Sequence, residues 1–565
     1  MISVDHIISQ RFPTLPQRPT IFRVVSASLK RLFHEDEFVN FAQHYPHLTG
    51  IDFVEQVLEE FNLSTEVKRE QLERIPVRGR VVIVANHPLG SLDGLALIRE
   101  ISAVRRDLKV VATDVLNELK PMQPLLVPVD NHNGVVTKQY FKAIDQHLCN
   151  EGALLIFPAG EVSRITPQGI RDNKWKAGFL RIAYRAKAPI LPIFVDARNS
   201  FSFYMTSLLY RPLSTLMLVP EMFKRRNSVI KLTIGNLIPF ASFADQALES
   251  KAMVKLFAKH VYRLGAGKSG LFKTVTSIAH PENRQALREA INACEKLGET
   301  RDGKRICLFK GETSSPIMRD IGRLRELTFR EVGEGTGKRR DVDAYDPLYH
   351  HIVLWDDADL EIAGAYRIGC VDKIREENGR IYTQSLFEYD DTFEPYFERG
   401  LELGRSFVQP RYWGRRSLDY LWQGIGAFLV RHPEYRYLFG PVTVPNTLPE
   451  SGRRALIYVF NKHFGSAVKF ARAKKPYSLG DIADLAERFD AETYEEDFQK
   501  LKGYLSNMGM SVPTLYKQYA DLCDPEGVVF MDFGVDPDFA DAVDSLIMVD
   551  TYQLTEAKRQ RYLGQ

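Results

Sequence analysis

The sequence predicts two α/β domains joined by a linker that contains a helix. Its 565 residues are more than one domain of ordinary size needs. Between residues 78 and 240, short apolar runs alternate with helical patterns, which is typical of an α/β layer structure. A fresh series of strands and helices begins near residue 304. We therefore predict a helical region over 1–77, a first domain over 78–265, a linker over 266–303 and a second domain over 304–565.

The composition is that of a globular protein, with 44% hydrophobic and 26% charged residues. A net charge of +3 is too small to indicate a nucleic-acid-binding protein. The five cysteines are far apart and form no CxxC pair, which argues against a disulfide framework or a zinc site and favours a reducing compartment. The N-terminus has no apolar signal-peptide core, and no apolar run approaches about 20 residues. We expect a cytoplasmic protein.

The N-terminal region is predicted to be mostly helical. Ile21–Phe33 has apolar residues at helical spacing, with Arg23, Lys30 and Arg31 among them. A basic amphipathic helix of this kind suits an anionic membrane surface. A helix packed on the following domain gives the same pattern, so the sequence does not separate these two interpretations.

The first domain is organised around VVIVANHPLGSLDG, Val81 to Gly94. Val81–Val84 predicts a buried strand, and Ser91 or Asp93 is placed to cap the helix that follows. His87 then lies at a strand end with Asp93 close by in sequence. A carboxylate that fixes the histidine tautomer leaves the other ring nitrogen free to accept a proton from a hydroxyl. A backbone-bonded histidine beside a capping aspartate explains this stretch equally well.

A second motif, FPAGEVSR, follows the next buried run and supplies Gly160, Glu161 and Arg164 for a polar pocket. In α/β sheets such loops at strand ends collect sites. The proline-flanked PILPI, 189–193, is a third piece. The remaining predicted elements are the strands Leu108–Ala112, Leu125–Val129, Ala153–Phe157, Ile190–Val195 and Val229–Ile234 and the helices Val135–Cys149 and Lys174–Arg185.

These motifs resemble those of the glycerolipid acyltransferases, the family typified by lysophosphatidate acyltransferase. NHPLGSLD resembles its histidine–aspartate motif, FPAGEVSR its FPEGTRS motif, and PILPIF its later strand. The resemblance implies that His87 deprotonates an acceptor hydroxyl, that Asp93 orients it, and that the hydroxyl attacks an acyl thioester.

This sequence departs from the family pattern in two ways. Five residues rather than four separate His87 from Asp93, and we expect the Gly90 turn to absorb the additional one. Ala159 and Val162 stand where the family has a glutamate and the arginine that holds the acceptor phosphate. Arg164 is a possible substitute for that arginine. Because an apolar residue makes no bidentate phosphate contact, the simpler inference is that the acceptor is not a glycerol phosphate.

Residues 201–226 are rich in leucine, methionine and aromatic residues and end in a basic cluster. Such a stretch suits an acyl chain and a lipid headgroup region. It fits an ordinary core helix pair with a solvated end equally well.

After a helix at Pro281–Leu297, the second domain is predicted to begin with the strand Ile306–Lys310 and the helix Ile317–Arg330. Two strands, His350–Leu354 and Glu361–Gly369, precede a third at residues 402–408, and the helix Ser417–Val430 follows. A helix, a strand meander and a helix suggest the acetyltransferase superfamily.

This segment is similar to the acyl-homoserine lactone synthases and to the bacterial ornithine N-acyltransferases related to them. Arg325 and Phe329, the DxDxYD run from Asp341 to Asp346, and the ELGRS strand with Glu402 and Arg405 carry the resemblance. It implies that Arg325, Phe329, Asp343, Asp346, Glu402 and Arg405 line the site and that the acyl donor is a thioester on acyl carrier protein.

Chemically, Asp343 or Glu402 suits a cationic amino-acid acceptor and the removal of a proton from its amine. Arg405 fits a structural ion pair with Glu402 equally well. Three aspartates within residues 341–346 are more typical of a solvated turn than of a metal site. We expect neither a metal nor a cofactor, and no covalent intermediate.

Two basic clusters are candidates for docking an acidic carrier protein by electrostatic steering. They are Lys338-Arg339-Arg340 and Arg411 with Arg415-Arg416. Ordinary solvated surface is the more common explanation for any one such cluster.

Together the two halves resemble the bifunctional ornithine lipid synthases. The resemblance implies N-acylation of ornithine with a 3-hydroxyacyl group by the second domain and O-acylation of the 3-hydroxyl by the first, at the inner face of the bacterial membrane. The alternatives are the same chemistry on another amino acid such as glycine, a 1-acylglycerol-3-phosphate acyltransferase with an accessory domain, and a non-catalytic lipid-binding protein.

Overall fold

The computed structural model describes residues 5, 19–111, 119–127, 138–209, 217–244, 248–444, 448–539 and 541–564. The chain divides into two compact units, Met1–Ser277 and Ile278–Gln565. The division falls within the predicted linker, 266–303.

The first unit is built on a six-stranded sheet with the order β1-β8-β7-β2-β4-β3. All neighbouring pairs are parallel except β7 and β8, which are antiparallel. A separate hairpin pairs β5 with β6. The strands are β1 (Ser64–Glu66), β2 (Val81–Ala85), β3 (Lys109–Val110), β4 (Ala153–Ile156), β5 (Arg164–Thr166), β6 (Gly169–Arg171), β7 (Ile190–Asp196) and β8 (Val229–Ile234).

Helices cover both faces of this sheet because its central strands are apolar on both sides. Val81, Ile83 and Ala85 of β2 share one core with the helices at residues 50–60 and 91–102. Val82 and Val84 share another with the helices at 138–149, 178–186 and 250–265. The helices are α1 (Pro19–Leu32), α2 (Glu35–His44), α3 (Gly50–Glu60), α4 (Arg69–Leu72), α5 (Ser91–Ser102), α6 (Lys138–Cys149), α7 (Gly178–Ala186), α8 (Phe201–Leu209), α9 (Leu218–Phe223), α10 (Ala241–Ala244) and α11 (Ser250–Gly265).

Most predicted elements of this unit are present, with shifts at their ends. The exception is the strand predicted at Leu125–Val129: a 3₁₀ helix, Lys120–Leu125, leads instead to a single bridge between Leu126 and Val110. Pro121 and Pro124 interrupt strand pairing there. The predicted helix Lys174–Arg185 starts only at Gly178. Residues 112, 128–129 and 135–137 of the predicted elements lie outside the described part of the chain.

The second unit is built on an eight-stranded sheet with the order β17-β18-β15-β14-β12-β11-β10-β9. Only β14 and β15 are parallel neighbours. A separate pair joins β13 and β16. The strands are β9 (Glu295–Glu299), β10 (Arg305–Phe309), β11 (His350–Asp356), β12 (Glu361–Cys370), β13 (Phe387–Tyr389), β14 (Gly400–Val408), β15 (Tyr437–Val444), β16 (Ala471–Ala473), β17 (Val528–Asp536) and β18 (Ala542–Asp550).

Separate cores again lie on the two faces of the sheet. One core includes the helices at residues 417–431, 450–464 and 494–506. Another includes the helices at 284–292 and 316–331. The helices are α12 (Arg284–Asn292), α13 (Pro316–Glu331), α14 (Val371–Asn378), α15 (Glu394–Glu398), α16 (Ser417–Arg431), α17 (Glu450–Phe464), α18 (Ala483–Arg488), α19 (Tyr494–Ser506), α20 (Thr514–Ala520) and α21 (Glu556–Leu563).

The helix predicted at Pro281–Leu297 is too long at both ends. Asn283 caps α12 by accepting hydrogen bonds from Gln285 and Ala286, and β9 begins at Glu295. Both elements belong to the second unit rather than to a linker.

Strands β14 and β15 are paired over only part of their length. Their ladder joins Gly400–Glu402 to Tyr437–Phe439, although the strands continue to Val408 and Val444. Beyond Glu402 and Phe439 the two strands are therefore no longer paired, although they still lie close together at Leu403 and Gly440. Main-chain groups that a neighbouring strand leaves unpaired can bind a ligand.

Among the described residues, no helix combines the length and the apolar character that crossing a membrane requires.

Candidate active sites

The first candidate site lies at the carboxyl ends of β2 and β4. His87 follows β2, and its ring stacks on Phe157, which follows β4, with the ring centroids 4.1 Å apart. Nδ1 of His87 lies 3.2 Å from Oδ2 of Asp93. Apart from this carboxylate, no partner of Nδ1 is found among the described residues. The imidazole remains 18% exposed, so this ring can be reached from solvent.

The Asp93 carboxylate is held by the backbone. It sits fully buried in the first turn of α5, where Oδ2 accepts from the amide of Leu89 and Oδ1 from that of Gly94, both at 2.9 Å. Gly90 precedes the helix with φ +100°, a conformation that glycine adopts readily. The turn at Gly90 that was expected to absorb the additional residue between His87 and Asp93 is therefore formed. The cap position of α5 is Gly90 itself, and not Ser91 or Asp93 as predicted.

Asp172, which the sequence analysis missed, joins the two motif loops. Its Oδ1 accepts from the His87 amide at 3.1 Å and from the Ser163 hydroxyl at 2.6 Å. Its Oδ2 accepts from Nε1 of Trp175 at 2.9 Å. A further hydrogen bond runs from the Ser163 amide to the His87 carbonyl, at 2.8 Å. One carboxylate thus fixes the backbone of His87 relative to the second loop.

These carboxylates set the protonation of His87. Burial lowers the pKa of the imidazole, but the negative charges of Asp93 and Asp172 outweigh burial and leave the pKa above its usual value. The pKa of Asp172 is itself raised by burial.

The second motif, FPAGEVSR, contributes fewer polar side chains to the predicted pocket than expected. Gly160 has φ +68°, and Glu161 is exposed and accepts from Nδ2 of Asn173 at 2.6 Å. Val162 is buried and packs against the Gly90 turn, since a Cβ on Gly90 would lie 3.1 Å from its Cγ1. The position of the family's phosphate arginine is therefore a packing position here.

Arg164 does not lie in an open pocket from which it could hold a phosphate. Its buried guanidinium donates to the Ser207 hydroxyl at 2.7 Å and lies 5.2 Å from the centre of the Phe203 ring, both on α8. The stretch predicted as either lipid surface or core shows features of both. In α8, Phe203 and Tyr204 are buried whereas Phe201, Met205 and Leu208 are exposed, and residues 210–216 lie outside the described chain.

The second candidate site contains a network of three aspartates and three arginines. Arg325 donates to Asp346 at 2.8 Å, and both side chains are buried. Arg367 of β12 donates to both oxygens of Asp343 at 2.9 Å and to Asp346 at 3.2 Å. The DxDxYD run is therefore neither a solvated turn nor a cation site, because arginines occupy its carboxylates.

Arg405 completes this network from a bulge in β14. The ladder with β12 shifts register next to Arg405, which has a left-handed φ of +50°. Its guanidinium contacts both oxygens of Asp341, at 3.0 and 3.2 Å, and lies 3.5 Å from Asp343. The ion pair considered between Arg405 and Glu402 is wrong, because the bulge aims Arg405 at these aspartates.

Glu402 is bound by other groups. It accepts from the Tyr349 hydroxyl and from the amides of Tyr382 and Thr383, the last at 2.6 Å. Burial raises the pKa of Glu402. For Asp343, burial also acts to raise the pKa, but the adjacent Arg367 guanidinium holds it below its usual value. Of the two predicted bases, Glu402 is therefore the stronger proton acceptor.

Phe329 lies beside this network. Its ring is 5.2 Å from that of Phe539, which in turn lies 5.0 Å from the Arg405 guanidinium. The structure therefore brings all six predicted residues of the second domain into one region of unit 2, through these contacts and through the shared strand of Glu402 and Arg405.

Comparison with known proteins relates each half of the chain to an acyl-transfer family. A family model described as Acyltransferase matches residues 7–266, and one described as Acetyltransferase (GNAT) domain matches residues 324–423.

Three curated proteins illustrate the similarity. The glycine N(alpha)-acyltransferase of Phocaeicola vulgatus is 30% identical over 302 residues, 51% of this chain and 92% of that protein. The lyso-glycine lipid O-acyltransferase of Bacteroides thetaiotaomicron is 32% identical over 271 residues, 47% of this chain and 97% of that protein. The L-ornithine N(alpha)-acyltransferase of Rhodobacter capsulatus is 29% identical over 257 residues, 43% of this chain and 90% of that protein.

The chain belongs to this family of acyltransferases. It carries an acyltransferase domain followed by a GNAT-like domain, which is consistent with a fused ornithine lipid synthase. The predicted fold class, two α/β acyltransferase domains, is confirmed.

In the first domain of the acyltransferase, the arrangement supports base catalysis. With Nδ1 turned to Asp93, Nε2 is the nitrogen left to accept a proton from a hydroxyl. Stacking on Phe157 and the backbone bond to Asp172 limit movement of the ring. A histidine fixed in this way needs only a hydroxyl and a thioester beside it.

In the second domain of the acyltransferase, direct transfer to an amine requires only a donor site and a proton acceptor. The unpaired stretch between β14 and β15 is a candidate donor site, and Glu402 lies on β14 at the last position of the ladder. The paired arginines and aspartates hold the bulge beside it.

Arg367 and Asp172 are two charged residues of these sites that the sequence analysis missed. Arg367 is the charged residue within the uncharged, buried run from Ile362 to Cys370, and that signal was available. Asp172 follows the short β5–β6 hairpin, and nothing in its local pattern marks it.

Proposed function

We propose that the acyltransferase makes ornithine lipid in two steps. The second domain transfers a 3-hydroxyacyl group from acyl carrier protein to the α-amine of ornithine. The first domain then transfers a second acyl group from a thioester to the 3-hydroxyl of that lyso-lipid.

One observation carries the proposal: the hydroxyl-activating site has an apolar position where a phosphate contact would be needed. Val162 is buried against the Gly90 turn. A lyso-lipid whose hydroxyl belongs to a 3-hydroxyacyl amide has no phosphate to bind, so it suits this site. Relatives named for lyso-lipid O-acylation and for amino-acid N-acylation support the two halves separately.

In the first step, the neutral α-amine attacks the thioester carbonyl, and the carrier thiol leaves. Glu402 accepts the proton that the amine loses and then gives it to the leaving thiolate, which departs as the thiol. The product is an amide that retains its 3-hydroxyl.

In the second step, Nε2 of His87 removes the proton of the 3-hydroxyl as it attacks the second thioester. The tetrahedral intermediate collapses to an ester, and the imidazolium returns the proton to the departing thiolate. The acyltransferase is regenerated without a covalent intermediate.

Glycine is the second candidate acceptor, because two relatives are named for glycine chemistry. The binding site that would distinguish the two acceptors is in the second domain, and the same experiment separates them.

The test is mass spectrometry of lipids from cells that make no aminolipids and express the chain. Wild type is expected to give a diacyl lipid whose fragments contain ornithine. His87→Ala should accumulate the lyso-lipid, and Glu402→Gln should make neither lipid. Co-expression of the two variant chains should restore the diacyl lipid if each domain supplies one step.

Different results lead to different conclusions. Glycine in the fragments changes the acceptor and keeps the two steps. Normal diacyl lipid from the His87→Ala chain excludes the first domain as the O-acyltransferase. Absence of any aminolipid from folded wild type, with carrier protein present, refutes the proposal.

A further inference from the structure

The second unit contains three buried carboxylates that the proposed chemistry does not use. Glu334, Asp536 and Asp544 are 6%, 4% and 4% exposed, respectively. Glu334 follows α13, Asp536 ends β17, and Asp544 lies within β18.

The strand registers place two of these carboxylates on one face of the sheet. Asp544 is opposite Gly534, and Asp536 is opposite Ala542, two positions from Asp544. Thr443 of β15 is also opposite Asp544 and donates its hydroxyl to Oδ1 at 2.7 Å. Because alternate residues share a face, Asp536 and Asp544 project together.

The same face carries the acyl-transfer network. In β18, Met548 is four positions from Asp544 and is opposite Phe439, which in turn is opposite Glu402 in the parallel ladder. Asp544 and Glu402 therefore face the same side of the sheet, with β15 between their strands. The negative charges of Asp536 and Asp544 both act on the phenol of Tyr382, which also contacts Arg405.

Glu334 approaches this region from α13. Its amide donates to the Phe329 carbonyl at 2.8 Å, and the Phe329 ring contacts Phe539 beside Arg405. Burial raises the pKa of Glu334 to about 8, and the charge of Asp544 adds to the shift. Burial raises the pKa of Asp544 to about 7, with Asp536 adding and Arg405 opposing.

Glu334 lacks the partner that a buried carboxylate needs. Among the described residues, no hydrogen bond or ion pair to its carboxylate is found. The nearby arginines are already engaged: Arg325 with Asp346, Arg367 with Asp343, and Arg405 with Asp341. Burying a carboxylate without compensation is costly, so the missing cation is one that a ligand brings.

We propose that Glu334, Asp536 and Asp544 form a subsite for the side-chain ammonium of a diamino-acid acceptor. This inference rests on the proposed function and names what selects the acceptor. An ammonium has three N–H donors and no acceptor, which matches a group of carboxylates. Binding the side chain there leaves the α-amine free to face the donor near Glu402. A glycine acceptor has no group to fill this subsite.

The test compares the binding of three free amino acids to the full chain by isothermal titration calorimetry. L-Ornithine has the ammonium, L-norvaline has the same carbon skeleton without it, and glycine has no side chain. Wild type should bind ornithine at least about tenfold more tightly than norvaline. The double variant Glu334→Gln/Asp544→Asn should lose this preference, chiefly because it binds ornithine more weakly.

The matched control is Asp320→Asn, which neutralises a buried carboxylate of α13 that is ion-paired with Arg323 at 2.6 Å. It should keep the preference for ornithine. Thermal melting of each variant reports folding. If the double variant does not fold, the single variant Glu334→Gln is compared in the same way.

A second measurement uses only wild type. The raised pKa values of Glu334 and Asp544 leave both carboxyl groups partly protonated near pH 7.5. An arriving ammonium stabilises their charged forms. Ornithine binding should therefore release protons, which titrations in buffers of different ionisation enthalpy detect, and norvaline should release fewer. The groups facing these carboxylates are Asp536, Arg405, Tyr382 and Tyr516.

Equal binding of ornithine and norvaline by wild type overturns the subsite, as does an unchanged preference in the double variant. Tighter binding of lysine than of ornithine supports the subsite with a longer side chain. Selective ornithine binding without any N-acylation would keep the subsite and reject the proposed function, so the two failures are distinguishable.

Discussion

Nδ1 of His87 lies 3.2 Å from Oδ2 of Asp93, whose two oxygens are held by the amides of Leu89 and Gly94. We expect Asp93→Asn to lower kcat for O-acylation by about 10²- to 10⁴-fold, because the ring loses the group that fixes its tautomer. N-acylation by the same chain should be unchanged. Steady-state assays of both steps measure this. Asp196→Asn, at the exposed last position of β7, is the control. A nearly normal O-acylation rate in Asp93→Asn would contradict the assigned role.

The pH dependence of O-acylation follows from the same geometry. His87 acts in its neutral form, and nearby carboxylates hold its pKa above the ordinary value of about 6.5. The rate should therefore rise with pH through this raised pKa. Removing the charge of Asp93 lowers the pKa of His87. The acidic limb of the pH–rate profile should therefore move to lower pH in Asp93→Asn, although the maximal rate falls. A limb that moves to higher pH would show that another group titrates.

Asp172 positions His87 through the backbone. Asp172→Asn retains shape but loses charge, so we expect kcat for O-acylation to fall by about tenfold with a smaller downward shift of the acidic limb. A purely structural role would lower thermal stability and leave the pH profile in place. Ser163→Ala removes one donor to Asp172 and should give a weaker effect in the same direction.

The sequence predicted the elements that carry His87 and Glu402 because both are short local patterns: an apolar run before a turn, and a strand-like run at residues 402–408. The contacts between distant segments were not predictable in this way. Asp172 meets His87 across 85 positions of the chain, and Arg405 meets Asp341 across 64. The bulge that turns Arg405 from Glu402 depends on a register shift against β12, which no local pattern encodes.

Val162 tests why this site lacks a phosphate contact. Val162→Arg places a longer, charged side chain in a buried position against Gly90, so we expect a loss of about 2–4 kcal/mol in unfolding free energy and no gain of lysophosphatidate acyltransferase activity. Chemical denaturation and an assay with lysophosphatidate measure these outcomes. A stable variant that acylates lysophosphatidate would show that the position lines an open acceptor site.

Glu402 is the proton acceptor of N-acylation in our proposal. Glu402→Gln keeps the hydrogen bonds of one oxygen but cannot take a proton, so kcat should fall by about 10²-fold or more. Burial raises the pKa of Glu402, and the wild-type rate should increase with pH through that raised value. The variant should lose this limb. Glu388→Gln, exposed on β13, is the control, and an unchanged limb in Glu402→Gln would assign the titration elsewhere.

Carrier protein docking is expected at Arg415 and Arg416, which are exposed at the start of α16. In the other predicted basic positions, Arg340 is paired with Glu282, and Arg411 with Asp359 and Glu361. Reversing both charges in Arg415→Glu/Arg416→Glu should raise KM for an acyl carrier protein donor by about tenfold at low salt, with the difference shrinking as salt screens the surface. KM for a small acyl-pantetheine thioester should stay the same, because that donor has no acidic protein surface.

Lys251→Glu/Lys255→Glu, which reverses two exposed charges on α11, controls for net charge. Equal effects on both donors would place these arginines at the thioester rather than at the carrier.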